Sequence, residues 1–186
     1  LLEYRYNILE QARDRAQVMS GEGALFPWRT INGHEASAYF PAGTAQYHIN
    51  ADIAHGVKKY VQTSGDSDFL YDYGIEILIE TARFWLSLGF FHEPDGSFRI
   101  NGVTGPDEYT AIVNNNYFTN IMARNNLSYA ADAVSKMKKD KPAMFKELAE
   151  RLSYSASEAD AWRRAAEMMY LPYDNRLCVL AQDDSF

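Results

Sequence analysis

The stretch DFLYDYGIEILIETARFWLSL, Asp68 to Leu88, decides how this chain folds. Leu70, Ile75, Leu78, Ile79, Ala82, Trp85 and Leu86 fall around most of a helical circumference, and a helix that is apolar nearly all round must sit inside an assembly rather than on its surface. Working outward, Gly65 closes a preceding helix expected over about Tyr47 to Val61, with Ile49, Ile53, Val57 and Tyr60 on one face. Asp66 or Ser67 caps the buried helix. Towards the N-terminus, Leu2, Tyr6, Leu9, Ala12, Ala16 and Met19 recur at steps of three or four, so one helix is expected there, ended by Gly21 and Gly23.

Between these helices, Glu22 to Thr44 carries Pro27, Gly33, Pro41 and Gly43 without a sustained period. It reads as a long loop with a short helix inside, and loops of that length are more often functional than idle. Beyond Leu88, the run from His92 to Ser97 is a turn by composition, with Phe98 to Ile100 and Val103 extended after it. Asn114, Asn115 and Asn116 lead into a helix from about Tyr117 to Met137. Lys138 to Lys141 forms a basic turn ended by Pro142, and two further helices are expected at about Ala143 to Tyr154 and Ser157 to Met169. Ser157 and Asp160 are spaced as a capping box for the last. The chain is therefore all-α, an array of antiparallel helical pairs with long insertions.

Composition narrows the function. The chain has 186 residues, 47% hydrophobic and 23% charged, with 18 Lys plus Arg against 25 Asp plus Glu and a formal net charge of −7. An acidic balance argues against nucleic acid, which needs a basic face. No apolar run reaches the roughly 18 residues that a membrane span needs. One cysteine, Cys178, cannot form an internal disulfide, which fits a reducing, cytoplasmic setting. Aromatic residues make up 14% of the chain, which suits either core filling or a site where flat apolar faces meet a ligand.

Asp107 and Glu108 are the sharpest candidates for chemistry. Adjacent carboxylates behind a rigid Gly105-Pro106 entrance can be turned apart by the backbone, one solvated and the other pressed towards aromatic surface. Desolvation and a neighbouring like charge both raise a carboxyl pKa, as a general acid near neutral pH requires. The alternative is a turn in which Asp107 caps a helix and Glu108 is surface charge. His48, Asp52 and His55 share a helical face at a spacing that metals accept, although His48 or Asp52 can equally hydrogen-bond a polar ligand or an adjacent loop. Trp28, set among Asn32, His34 and Glu35, suits a sugar stacked on the ring with its hydroxyls bonded at the edge; it can also plug the loop onto the core. The three asparagines fit hydroxyl recognition or helix capping. There is no Gly-rich phosphate loop. A calcium loop beginning at Asp66 and Asp68 fails at Tyr71, where glycine is needed. Lys136, Lys138, Lys139 and Lys141 read as a solvated turn.

Taken together, Gly23-Ala24-Leu25-Phe26-Pro27-Trp28, Gly33-His34-Glu35, Tyr47-His48-Ile49-Asn50-Ala51-Asp52-Ile53, Glu80-Thr81-Ala82-Arg83-Phe84-Trp85, Val103-Thr104-Gly105-Pro106-Asp107-Glu108-Tyr109 and Asn114-Asn115-Asn116-Tyr117 resemble glycoside hydrolase family 65. That family contains inverting phosphorylases of maltose, kojibiose, nigerose, trehalose and related disaccharides. The resemblance runs in order over nearly the whole chain. It implies part of an (α/α)6 barrel, and it places the general acid on Glu108, which protonates the glycosidic oxygen while inorganic phosphate attacks the anomeric carbon from the opposite face. An inverting hydrolase needs a second carboxylate to activate water; phosphate is already an anionic nucleophile, which matches a sequence with one prominent carboxylate loop.

By the same resemblance Trp28, Glu35 and His48 line sugar subsites, with Asp107 and Asn115 supporting the acid loop. The implied partners are a disaccharide and phosphate, with no metal or organic cofactor, and the resemblance allows a homodimer of the full-length parent. The family's Trp-Asp motif upstream and its Lys-Gln motif and phosphate loop downstream are not in this sequence. Residues 1–186 are accordingly expected to be a single partial catalytic domain without the N-terminal β-sandwich and the remaining barrel helices, and unable to turn over a disaccharide alone. A water-using, trehalase-like hydrolase of the same family and a non-catalytic helical scaffold remain the rival readings.

Overall fold

The computed structural model describes residues 1–186. Eight α-helices carry the fold: α1 Leu2–Asn7, α2 Leu9–Val18, α3 His48–Ser64, α4 Ser67–Phe69, α5 Ile75–Leu88, α6 Tyr117–Asp140, α7 Pro142–Arg151 and α8 Glu158–Glu167. Two small antiparallel hairpins complete it: β1 Phe90–Phe91 with β2 Phe98–Arg99, and β3 Tyr173–Asp174 with β4 Val179–Leu180. The long α6 packs against α3, α5 and α8. No helix is long and apolar enough to cross a membrane.

The buried helix is where the sequence puts it. Ile75, Ile77, Leu78, Ile79, Ala82, Phe84 and Trp85 of α5 are all inside. Its first part differs, because Leu70–Gly74 is wound as a π-helix. There α3 comes close: a Cβ on Gly74 would stand 2.8 Å from Cγ1 of Val57. Asp66 is the cap, accepting from the Phe69 amide at 2.9 Å. Gly65 ends α3 in the left-handed region, at φ 72°.

The expected single N-terminal helix is broken at Ile8, φ −104° and ψ 17°. Its hydrogen-bond ladder nevertheless continues, Ile8 N to Tyr4 O at 3.2 Å and Ala12 N to Ile8 O at 3.1 Å. The break turns both Ile8 and Leu9 into the core. The basic turn is also displaced: α6 runs on through Lys138 and Lys139, whose charges sit against the carbonyl end of its dipole. The capping box lies two residues earlier than its spacing suggested, since the Glu158 carboxylate accepts from the Ser155 amide at 2.8 Å, while Ser157 caps nothing with its side chain.

Two carboxylates lie deep in α5. Glu76 and Glu80 are 2% and 4% exposed, and three arginines from other turns meet them. Arg13 of α2 donates to Glu76 at 2.7 Å and Glu80 at 3.2 Å; Arg151 of α7 grips Glu76 at 2.8 and 2.7 Å. Arg83 joins Glu80 at 3.1 Å to Glu158 at 2.7 Å. Burial pushes the Glu76 carboxyl up, and the arginine bonds outweigh it, so its pKa lies below the ordinary value.

The segment Ala24–Phe26 is stitched between three helices, and this fixes where the following loop begins. Ala24 N donates to Glu80 O at 3.0 Å and Leu25 N to Ala12 O at 2.8 Å, while Asn50 of α3 takes Phe26 N and gives to Ala24 O, both at 2.8 Å. Gly23 makes the approach feasible: at φ 69° a Cβ would lie 2.1 Å from the Glu80 carbonyl oxygen.

Candidate active site

The acid loop is an excursion from a closed neck. Val103 and Val113 exchange backbone bonds at 2.9 and 2.8 Å, and Gly105 N reaches Thr110 O at 3.0 Å. Thr104 pins the neck to a 3₁₀ turn at Pro41–Ala45, through its amide to Ala45 O at 3.1 Å and its hydroxyl to Ala42 O at 2.6 Å. Within this frame Glu108 adopts φ 62°, a left-handed conformation that costs a glutamate on the order of 1 kcal/mol and recurs at functional sites.

The two carboxylates have different partners, but both are exposed, so neither is pressed out of solvent as the sequence reading expects. Asp107 is tied down, accepting from the Thr110 hydroxyl at 3.0 Å and the Gln182 amide at 2.6 Å. Desolvation acts to raise its pKa, but the bonds from Thr110 and Gln182 prevail and hold it below the ordinary value. Glu108 has only the Gln46 side-chain amide near it, Nε2 to Oε1 at 3.5 Å. It is exposed, so residues of this chain do not supply the desolvation that a general acid was expected to have.

Glu108, Asp107 and Tyr109 line a cleft of about 390 Å³ together with Trp28, Arg29, Tyr39 and Phe40. Trp28 owes its position to Gly43, where a Cβ would stand 2.2 Å from the indole. Phe40 meets it edge-on, ring centres 6.1 Å apart, and Tyr39 lies tilted at 6.4 Å. The Arg29 guanidinium lies 4.5 Å from the Trp28 ring centre and 5.2 Å from that of Tyr39, within the range of cation–π attraction.

Glu35 works behind Trp28. Its carboxylate accepts from the amides of Trp28 at 2.9 Å and Arg29 at 3.3 Å, from the Ser37 hydroxyl, and pairs with Arg15 at 2.9 Å. Arg15 also donates to Phe26 O at 2.6 Å and Thr44 O at 2.7 Å, clamping both ends of the long loop. Asn115, 1% exposed, accepts from Ile100 N at 3.3 Å and donates to Asp184 at 2.7 Å. Asn116 is the helix cap, accepting from Thr119 N at 3.0 Å. His48 is buried at the start of α3, bonded to Asp52 at 2.8 Å and Gln46 at 3.1 Å, whereas His55 is exposed.

Of the residues singled out from sequence, Trp28, Asp107 and Glu108 therefore line one cleft. Glu35 lies behind Trp28 and Arg29, Asn115 bonds Ile100 and Asp184 rather than the acid loop, and His48 reaches the cleft through Gln46. Sequence spacing does not pick out Arg29, Tyr39, Phe40, Gln46 or Gln182. Arg29 and Tyr39 flank residues already in view, but nothing local marks Gln46 or Gln182, whose partners lie 62 and 75 positions away.

A carboxylate and aromatic rings lining one open cleft suit a glycoside. Across residues 1–186 the sequence matches the glycosyl hydrolase family 65 central catalytic domain, and the chain belongs to that family. It is 57% identical over its whole length to an alpha,alpha-trehalose phosphorylase of Thermoanaerobacter brockii and 34% identical to a kojibiose phosphorylase of Halothermothrix orenii. It spans about a quarter of each, 24% and 26%. A solved structure from the human microbiome, provisionally called a kojibiose phosphorylase, superposes on all of the chain with a TM-score of 0.87 at 30% identity, using 27% of its own length. The fold is accordingly part of the (α/α)6 helical toroid.

Proposed function

We propose that the complete protein carrying this chain is an inverting disaccharide phosphorylase, with α,α-trehalose as its substrate and Glu108 as its general acid. The observation that carries the assignment is the strained acid loop, which brings a carboxylate without an ion-pair partner into the cleft that Trp28 also lines. Glu108 gives its proton to the glycosidic oxygen as the bond from that oxygen to the anomeric carbon breaks. A phosphate oxygen bonds to the same carbon from the opposite face, so the products are glucose and β-glucose 1-phosphate. Glu108 regains its proton from solvent. Asp107 stays ionised and holds the loop, while Trp28, Tyr39 and Phe40 offer apolar faces to a sugar ring. Glu35 and His48 support these groups from behind.

The choice of trehalose rests on the 57% identity to a trehalose phosphorylase, against 34% and 32% to kojibiose phosphorylases and 32% to a maltose phosphorylase. Phosphate is a co-substrate, and the reaction requires no metal or organic cofactor. We place the protein in the cytoplasm, without a nucleic-acid or membrane partner and as a homodimer. The test is phosphorolysis by the complete protein with trehalose, maltose and kojibiose. Phosphate-dependent release of β-glucose 1-phosphate from trehalose, lost in Glu108→Gln, is the expected result. Glucose release that ignores phosphate would make it a hydrolase, and unchanged turnover by Glu108→Gln would leave a scaffold.

A further inference from the structure

Behind Glu108 stands a line of side chains that the reaction above does not use. Asp52 Oδ2 lies 2.8 Å from His48 Nδ1, His48 Nε2 lies 3.1 Å from Gln46 Oε1, and Gln46 Nε2 lies 3.5 Å from Glu108 Oε1. Gln46 and His48 are 4% and 5% exposed, and the line ends at a half-buried Asp52. From α6, Phe118 presents only an aromatic ring to His48, centre to centre 5.5 Å. The charged groups bearing on this line are thus Asp52 at one end and Glu108 at the other, with Asp107, Arg29 and Tyr109 sharing Glu108's cleft.

Hydrogen-bond parity limits what this line can be. A carboxylate only accepts, so His48 Nδ1 carries a proton towards Asp52. With Gln46 Oε1 facing it, Nε2 must carry one too, which makes His48 an imidazolium; the Gln46 amide then donates to an ionised Glu108. Turning the amide over leaves every heavy atom in place. Gln46 now donates to a neutral imidazole, and its oxygen faces Glu108, where only a protonated carboxyl satisfies it. Both arrangements give His48 and Glu108 together a net charge of zero. The mixed ones put the mismatch either between the buried His48 and Gln46, at a cost of about 1–3 kcal/mol, or at the exposed Glu108 end, where solvent lessens it.

We infer that Gln46 is a positioning residue for Glu108, and that its amide, oriented by the His48–Asp52 pair, couples the charge on His48 to the proton on the general acid. The inference rests on Glu108 being that acid. In the acid-competent state His48 is neutral and the Gln46 oxygen accepts the Glu108 hydroxyl, which fixes the direction in which the carboxyl presents itself. After the proton leaves, His48 stays neutral and the amide keeps its oxygen towards Glu108 until the carboxyl regains a proton from solvent.

The experiment compares kcat against pH for the complete protein and its Gln46→Met, Asp52→Asn and Glu108→Gln variants, with trehalose and phosphate. The descending limb of that profile reports loss of the acid's proton in the bound complex. Gln46→Met removes the acceptor for that proton and is expected to move the limb down by about one pH unit, with kcat down roughly tenfold and KM for trehalose little changed. Asp52→Asn, at a half-buried position that leaves the fold intact, is expected to move the limb in the same way, because an asparagine no longer dictates which His48 nitrogen is protonated. It decides alone if Gln46→Met does not fold. An inactive Glu108→Gln beside wild-type profiles in the other variants would overturn the coupling and leave the general acid in place. An active Glu108→Gln removes both.

Discussion

Replacing Arg13 by methionine removes one cation from the six-charge cluster around α5 and keeps most of the aliphatic stem. In the native protein Glu76, Glu80 and Glu158 are balanced by Arg13, Arg83 and Arg151, and Arg13 also pairs with the exposed Glu10 outside this set. Without Arg13, Glu76 still has both bonds from Arg151 and Glu80 still has Arg83, so neither carboxylate is orphaned, but the cluster carries one uncompensated negative charge. Of the three bonds lost, the two to buried Glu76 and Glu80 count about 1.5–3 kcal/mol each and the one to exposed Glu10 adds little, and deleting one partner of a buried pair costs about 3–5 kcal/mol. With the surviving arginines taking up part of the deficit, the expected loss at pH 7 is about 3 kcal/mol. Its pH dependence separates charge from packing. Glu76 titrates below its ordinary 4.5 in the folded chain, so its contribution is complete above that value and fades as pH falls through the folded one. The penalty of Arg13→Met is therefore expected to shrink to under about 1 kcal/mol near pH 3.5, where the orphaned charge can be neutralised. Urea unfolding of residues 1–186, followed by circular dichroism at both pH values, measures it. Adding Glu76→Gln should restore about 1 kcal/mol at pH 7. A loss that is the same at both pH values, or below about 1 kcal/mol at pH 7, would refute the reasoning.

Other outcomes follow from single contacts. Gly23→Ala drives a methyl group into the Glu80 carbonyl and imposes positive φ on an alanine; the same unfolding assay should show a loss of at least about 2 kcal/mol. Gly43→Ala pushes the Trp28 ring out of its seat. In the complete protein this should raise KM for the disaccharide several-fold with a smaller change in kcat, and an unchanged KM would remove Trp28 from sugar binding. Gln182→Leu deletes one of the bonds that hold Asp107 below the ordinary carboxylate range. A carbon-13 NMR titration should then find that carboxyl shifted upward, and no shift would leave Thr110 as its sufficient partner.

What the sequence discloses is what depends on local pattern. The all-round apolar surface of Ile75 to Leu88 names the central helix, Gly65 and Asp66 mark the break before it, and the Gly105-Pro106-Asp107-Glu108 run marks the acid loop. Spacing fails where neighbours compete for one role. Ser157 and Asp160 have the capping spacing, yet Glu158 turns back to Ser155 because it is also held by Arg83. Periodicity likewise cannot register Glu76 and Glu80 as interior, since the arginines that make them tolerable arrive from α2 and α7. The hairpin β3–β4, held by Asp174 accepting the amides of Arg176 and Leu177 at 2.8 and 2.9 Å, lies in a stretch with no strand alternation to find. Helical phase picks out His48 but not its partner Gln46, a polar residue whose burial no local pattern signals.

The last few residues close over the acid loop. Gln182 O accepts from Tyr117 N at 2.8 Å, Asp184 N donates to Asn114 O at 3.1 Å, and the Gln182 amide is a clamp on Asp107. During synthesis, helices α1 to α8 can assemble as they leave the ribosome, but the loop that carries Glu108 cannot be locked until residue 184 has been made. A nascent chain stalled before residue 182 therefore has α1 to α8 available but an acid loop that is not yet locked.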